Sequence, residues 1–287
     1  ATQERFTLGE VTRTDVAQAR ARLSAAKTDK AQSIGDYAIA KAAFKRVTGY
    51  GGEITNIEQP APADDLPKSL EELINIAMDN NPRIIAAKFN VNAASDNIKV
   101  IQAEIFPSIS LDATIEDESD TVRSGVGSDF ENQSVAVNVN VPLYQSGAEY
   151  SRIRRAKKAE EETYQESIET IDLVEESTIS AWHQYQVSAS NIQSTEEGVN
   201  AAEIALEGVS QEAKVGSRTT LDVLDAEQEL FIARTSYIRA NRDFIIASYD
   251  LLITMGTLNI EYFGLDLERF KPDQYIDKVK YKFIGLE

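Results

Sequence analysis

The sequence predicts a mainly α-helical protein of very long, coiled-coil-like helices with one small β part. Three observations carry that expectation. Apolar residues recur every seven positions over stretches longer than an ordinary helix, one pair of short segments alternates apolar and polar residues, and a long motif occurs twice. Composition narrows the function. The 287 residues hold 47 Asp plus Glu against 29 Lys plus Arg, a formal charge of −18, which argues against nucleic acid as a partner and against attraction to anionic lipid by overall charge. The chain contains no cysteine, so disulfides, thiolate zinc sites and thiol nucleophiles are all removed, and its single histidine, His183, leaves no multi-histidine metal site. No run approaches the roughly 18 apolar residues of a transmembrane helix, so any membrane crossing must be made by β-strands.

The repeat organises the chain. Leu8-Gly9 to Ala19 matches Val215-Gly216 to Ala226, with Gly, Thr, Asp, Val and Ala coinciding at a constant offset of 207 residues. The same offset carries Leu23 to Leu230, Tyr37 to Phe244 and Thr48-Gly49 to Met255-Gly256. Each copy thus runs from one glycine, through a helix of about forty residues, to a second glycine, which is a duplicated structural unit. Roughly 150 residues precede the second copy and eight precede the first, so a complete duplication predicts about 140 further residues ahead of Ala1.

Residues 1–49 form the second half of the first repeat. Gly9 and Gly216 suit the left-handed position that ends a helix. Thr12 and Thr219 then stand three residues ahead of Asp15 and Asp222, the spacing of a capping box with Asp in place of Glu, and each carboxylate also favours the positive end of the new helix. The apolar stripe of this helix includes Val16, Ala19, Leu23, Tyr37 and Phe44. Residues 50–68, with Pro60, Pro62 and Pro67, read as a linker. Residues 69–106 read as one helix opened by a capping box at Ser69 and Glu72, with Pro82 near its start.

Residues 107–143 carry the β signal. Ile109, Leu111, Ala113 and Ile115 alternate with polar residues, as do Val135, Val137, Val139 and Val141, between the stops at Pro107 and Pro142. Each predicted strand has about nine to eleven residues, enough to cross a bilayer when tilted, and the acidic segment from Asp117 to Gln133 reads as an exposed loop. The alternative is a soluble hairpin with one face on a core. Residues 144–256 hold the long helices. Ile171, Thr178, Tyr185, Ile192, Val199 and Leu206 form one heptad row, and Val174, Ala181, Ser188, Thr195, Ala202 and Val209 its partner. The proline-free helix would span on the order of 100 Å, too long for a globular core, and its alternation of large and small residues predicts helices side by side in an extended wall. In the second copy, Val223, Leu230, Tyr237, Phe244 and Leu251 continue the pattern. Residues 257–287 read as a mixed tail packing on the outside of the helices.

Two repeats pairing a β-hairpin with very long helices resemble the TolC-like outer-membrane efflux proteins. The most specific stretches are Val215-Gly-Ser-Arg-Thr-Thr-Leu-Asp-Val-Leu-Asp-Ala226 and Phe6-Thr-Leu-Gly-Glu-Val-Thr-Arg-Thr-Asp15, with Phe106-Pro-Ser-Ile-Ser-Leu111 and Val141-Pro-Leu-Tyr-Gln-Ser-Gly147 resembling the family's helix–strand junctions. The resemblance implies a homotrimer whose protomers each give four strands to one β-barrel in outer-membrane lipid, and whose helices form a periplasmic α-helical barrel. It further implies a passive exit duct that docks on a periplasmic adaptor (membrane fusion) protein and an inner-membrane pump of the RND or ABC type, for drug efflux or type I secretion. The first hairpin is absent from this chain, and two strands per protomer would not close such a barrel. The tail, 257–287, corresponds to an equatorial segment.

Comparison of the two copies separates scaffold from candidate sites. Gly9, Thr12, Gly216 and Thr219 are turn and cap residues, whereas Arg218 and Asp225 belong to the second copy alone, where the first has Val11 and Gln18. Asp222 and Asp225 share one face of a helical turn. The resemblance places them in an acidic ring at the periplasmic entrance, six carboxylates under threefold symmetry, and gives Arg218 a gating link to Thr14 and Asp15. A ring of carboxylates attracts cations. The plainer reading makes Asp222 a cap and Asp225 a solvated charge. The family often has a Tyr where this chain has Ala213, which removes one tether. No nucleophile or catalytic constellation accompanies the many carboxylates, so the expectation is a non-enzyme with no cofactor and no metal. The alternative function is a periplasmic coiled-coil adaptor without a pore, which would bury the valines of the hairpin.

Overall fold

The computed structural model describes residues 2–9, 11–52, 58–123, 126–265 and 272–282. Its elements are α1 (Thr2–Thr7), α2 (Arg13–Thr48), α3 (Leu70–Asn80), α4 (Pro82–Ala103), β1 (Ser108–Arg123), β2 (Val126–Asn140), α5 (Ala148–Lys214), α6 (Thr220–Met255) and α7 (Pro272–Val279). They divide between two compact units, Ala1–Pro67 with Ser180–Ile253, and Lys68–Ile179 with Thr254–Glu287.

The first unit contains α1, α2, the second part of α5 and most of α6. Its heptad rows are the packed faces. Ser188 of α5 and Leu230, Ala240, Ala247 and Leu251 of α6 are buried, and the ring of Tyr185 stacks on Phe244 with centroids 5.3 Å apart. Two predicted row members from different helices thus meet, as interlocking coiled-coil layers require. α2 behaves differently. Val16 is buried, but Leu23, Tyr37 and Phe44 of the same stripe lie about half exposed. The linker is partly docked: Ala63 N–H donates to the buried Ser248 Oγ at 2.9 Å, and the Tyr249 hydroxyl donates to the Ala61 carbonyl at 3.2 Å.

The second unit holds α3, α4, the hairpin, the first part of α5 and the chain after Ile253. The expected single helix over 69–106 is two. Pro82 lacks an N–H and disfavours helical geometry at the preceding residue, and Asn81 accordingly takes φ −64°, ψ 122°. Asn81, only 5% exposed, then serves both helices and a third segment: its N–H donates to Ala77 O (2.9 Å), its Oδ1 accepts from Arg83 N–H (2.9 Å), and its Nδ2 donates to Thr254 O (2.8 Å). The capping box at Ser69 is half formed. Ser69 Oγ accepts from Glu72 N–H, while the Glu72 carboxylate accepts from Lys68 N–H instead. Ala77, Ile84 and Val174 form the core between α3, α4 and α5, with Met78 and Ile171 against it. In α7, Tyr275 and Ile276 are more than half exposed.

The hairpin is longer than its alternating core. β1 has 16 residues and β2 has 15, in antiparallel register with Ile109 opposite Val139, Leu111 opposite Val137 and Ala113 opposite Val135. Most of the segment expected as a loop is strand, pairing from Asp117 with Glu131 to Arg123 with Val126 across one irregularity between Glu118 and Thr121. Backbone pairing needs no apolar side chain, so a register pinned by the valines continues into polar sequence. Ile109, Leu111, Ile115, Val135, Val137 and Val139 share one face and are each at least 60% exposed. The other face carries Ser110, Asp112, Thr114 and Asn138, with Asn138 donating to Asp112. The apolar face therefore lies on no core formed by the described residues. No helix among the described residues is long and apolar enough to cross a membrane.

Candidate functional site at the repeat turns

The two copies of the motif share their glycine conformation and their helix cap. Gly9 and Gly216 adopt φ +80° and +82°, a conformation that costs a side chain about 1–2 kcal/mol and glycine nothing. Around Gly216 the chain reverses through Ser217 N–H to Glu212 O (3.0 Å) and Gly216 N–H to Ala213 O (3.1 Å), which satisfy the last carbonyls of α5. Each following helix opens with a complete reciprocal cap. Thr12 N–H donates to Asp15 Oδ2 (2.8 Å) and Asp15 N–H to Thr12 Oγ1 (3.3 Å); the second copy repeats this as Thr219 N–H to Asp222 Oδ2 (2.8 Å) and Asp222 N–H to Thr219 Oγ1 (3.2 Å).

The two turns lie side by side. A cleft of about 310 Å³ is lined by Val11, Asp15 and Ala19 from the first copy and by Ala213, Arg218 and Leu221 from the second, among others. Asp15 and Arg218 thus share a cleft, but the ion pair of Arg218 is with Glu212, Nε to Oε2 at 2.8 Å. Thr14 is exposed and does not line the cleft. A direct link between the copies is Arg22 of α2 donating to Asp225 of α6. Arg20 reaches back from α2 to Gln3 at 2.9 Å.

These contacts set the charges. The backbone N–H and hydroxyl of Thr219 hold the Asp222 carboxyl below the usual carboxylate range, with Arg218 adding a smaller pull. Hydrogen bonding and attraction to Glu212 raise Arg218 further, and Asp222 contributes. Asp222 is therefore a capping carboxylate that stays ionised, and Asp225 an ion-paired one about half exposed. Sequence reasoning missed Arg22 and Glu212. Arg22 stands one heptad after Asp15 and three residues after Ala19, both cleft residues, and that spacing was its only signal. Among the described residues no His, Asp and Glu cluster is arranged to hold a metal ion.

The outer membrane efflux protein family matches residues 73–257, the majority of the chain. The chain belongs to this family. Membership places it among outer-membrane proteins. Outer membrane efflux protein BepC of Brucella suis biovar 1 (strain 1330) is 34% identical over 286 residues, covering 100% of this chain and 62% of its own length. Outer membrane protein TolC of Vibrio cholerae serotype O1 is 27% identical over 90% of this chain and 60% of its own length. The chain spans about three-fifths of the length of these curated relatives. Two solved structures share the fold: a membrane protein from Pseudomonas aeruginosa, with TM-score 0.71 and 19% identity over 88% of this chain and 60% of that one, and CusC, with TM-score 0.68 and 22% identity over 88% and 59%. The long helices with a small antiparallel sheet are thus the architecture of the family's channels.

Proposed function

We propose that the chain is part of a trimeric outer-membrane channel-tunnel, a passive exit duct for tripartite drug efflux or type I secretion. The observation that carries this reading is the hairpin, one face apolar and exposed, the other polar, continuous with very long helices. Lipid outside and a wet lumen inside ask for that arrangement. The relatives support it, since one is named an outer membrane efflux protein and another, AprF of Pseudomonas aeruginosa, an alkaline protease secretion protein. A duct performs no bond chemistry and needs no catalytic constellation. An adaptor without a pore would have no use for a lipid-facing valine row.

The repeat turns would form the periplasmic entrance. Asp222 and Asp225 would set its charge, and the Arg22–Asp225 pair would hold the two copies together in the closed state, a role the family resemblance implied for Arg218 with Thr14 and Asp15. Opening would break that pair and let α6 move from α2. The partners would be a periplasmic adaptor and an inner-membrane pump of the RND or ABC type. The test is complementation. The full-length protein, expressed in a Gram-negative strain lacking its own exit duct, should restore exclusion of ethidium, and Val137→Asp should abolish the rescue by placing a charge on the lipid face. Rescue undiminished by Val137→Asp would contradict the lipid-facing assignment.

A further inference from the structure

The basic run at the start of α5 has no part in a duct's entrance. Arg152, Arg154, Arg155, Lys157 and Lys158 fall within seven residues of a chain whose formal charge is −18. They follow the hairpin directly. β2 ends at Asn140, α5 begins at Ala148, and Arg152 Nε donates to Glu104 Oε2 at 2.8 Å, where Glu104 caps the helix leading into β1. The cations are thereby fixed at the hairpin's base.

Order along the chain is informative. The exposed apolar face of the strands is flanked by exposed aromatics, Phe106 just before β1 and Tyr144 and Tyr150 after β2; the cations follow, then Glu160 to Glu162. Aromatic residues gather where hydrocarbon gives way to headgroups. From Arg152 to Lys158 the helix rises about 9 Å, comparable with the roughly 5–8 Å headgroup layer on one side of a bilayer. At about 100° per residue, Arg154, Arg155, Lys157 and Lys158 occupy one arc opposite Ala156, and all four are exposed while Ala156 is buried. Arg152 is paired with Glu104 and Lys158 with Glu161. Arg154, Arg155 and Lys157 have no carboxylate partner among the described residues.

We propose that Arg154, Arg155 and Lys157 form a collar that binds the phosphates of anionic phospholipids in the leaflet facing the helices. The proposal rests on the reading of the hairpin as membrane-spanning. A protein this acidic is repelled by an anionic surface as a whole, and a local cluster at headgroup depth reverses that where the protein enters the membrane. Each cation near such a surface strengthens binding about fivefold, so three contribute on the order of a hundredfold.

The experiment uses the full-length protein with vesicles of phosphatidylcholine, alone or mixed with phosphatidylglycerol, and with inorganic phosphate in solution. Flotation reports insertion, and native mass spectrometry of the detergent-extracted protein reports retained lipid. The native protein should float with both vesicles and retain phosphatidylglycerol selectively. R154Q/R155Q/K157Q should float equally but lose roughly a hundredfold of that selectivity, whereas R154K/R155K, which keeps the charge, should retain it. Millimolar phosphate should not displace the lipid; displacement would assign the cations to a soluble anion and overturn the membrane source. Unchanged lipid selectivity in the glutamine variant would overturn the collar, and a changed ionic preference of the pore alongside it would place these cations on the lumen. Failure of the native protein to float with either vesicle would overturn the membrane-spanning reading itself.

Discussion

Replacing Gly256 with alanine should damage the protein more than the same change at Gly216, although both glycines end long helices with nearly the same left-handed backbone, φ +72° and +82°. The conformation costs alanine about 1–2 kcal/mol at either site. The surroundings differ. A Cβ at Gly216 meets open space, but one at Gly256 would stand 2.4 Å from Asn80 O, 2.9 Å from Asn80 C and 2.9 Å from Pro82 Cδ. Two of those atoms are backbone and the third lies in the proline ring fused to it, and none can yield cheaply, because buried Asn81 between them is bonded to Ala77, Arg83 and Thr254. Overpacking of this kind adds about 1–3 kcal/mol, giving roughly 2–5 kcal/mol at Gly256 against 1–2 at Gly216. Native-state hydrogen exchange read by mass spectrometry reports local opening directly. Peptides spanning α3 and the start of α4 should exchange on the order of ten times faster or more in Gly256→Ala, and at the native rate in Gly216→Ala. Equal exchange across α3 in the two variants would refute the close approach of the α6 end to the α3–α4 break.

The remaining predictions concern the turns. Arg22→Gln and Asp225→Asn should show a coupling of about 0.2–1 kcal/mol in a double-mutant cycle at low salt, since both side chains are about half exposed, and the coupling should fade in high salt. Strict additivity would show that the pair does not hold α2 to α6. Asp222 has a folded pKa below its ordinary value, so its stabilising contribution is complete above the unfolded value of about 3.9 and is lost as pH falls through the lower folded one. Protection of the first turn of α6 should therefore decline in that acid window, and Asp222→Asn should flatten the decline. An unchanged profile in the variant would assign the acid sensitivity elsewhere.

Local signals were the legible ones. Thr12 with Asp15 and Thr219 with Asp222 announced their caps because a reciprocal cap is complete within four residues, and the glycine before each had one backbone role to fill. The rows through Tyr185 and Phe244 were legible because a heptad period survives only where helix meets helix along its length. What sequence could not show was non-local. The pairing of polar residues from Asp117 to Arg123 depends on a register set by distant valines, not on their own polarity. Arg22 finds its partner about two hundred residues away, with no pattern to join them. The break at Asn81 was different, since an Asn-Pro step is itself a boundary signal and stood in plain view. Reading Pro82 as a residue near the start of one long helix hid the Asn81 that ties three segments together.

Single-channel recording of the full-length protein in a planar bilayer shows whether it is a duct with a carboxylate entrance. A steady pore that prefers cations is expected, with the preference weakened in Asp222→Asn/Asp225→Asn and strengthened in Arg22→Gln, which frees the Asp225 charge. A protein that inserts but passes no current at any concentration would contradict the duct. A pore whose selectivity ignores all three substitutions would contradict the placing of the repeat turns at its entrance.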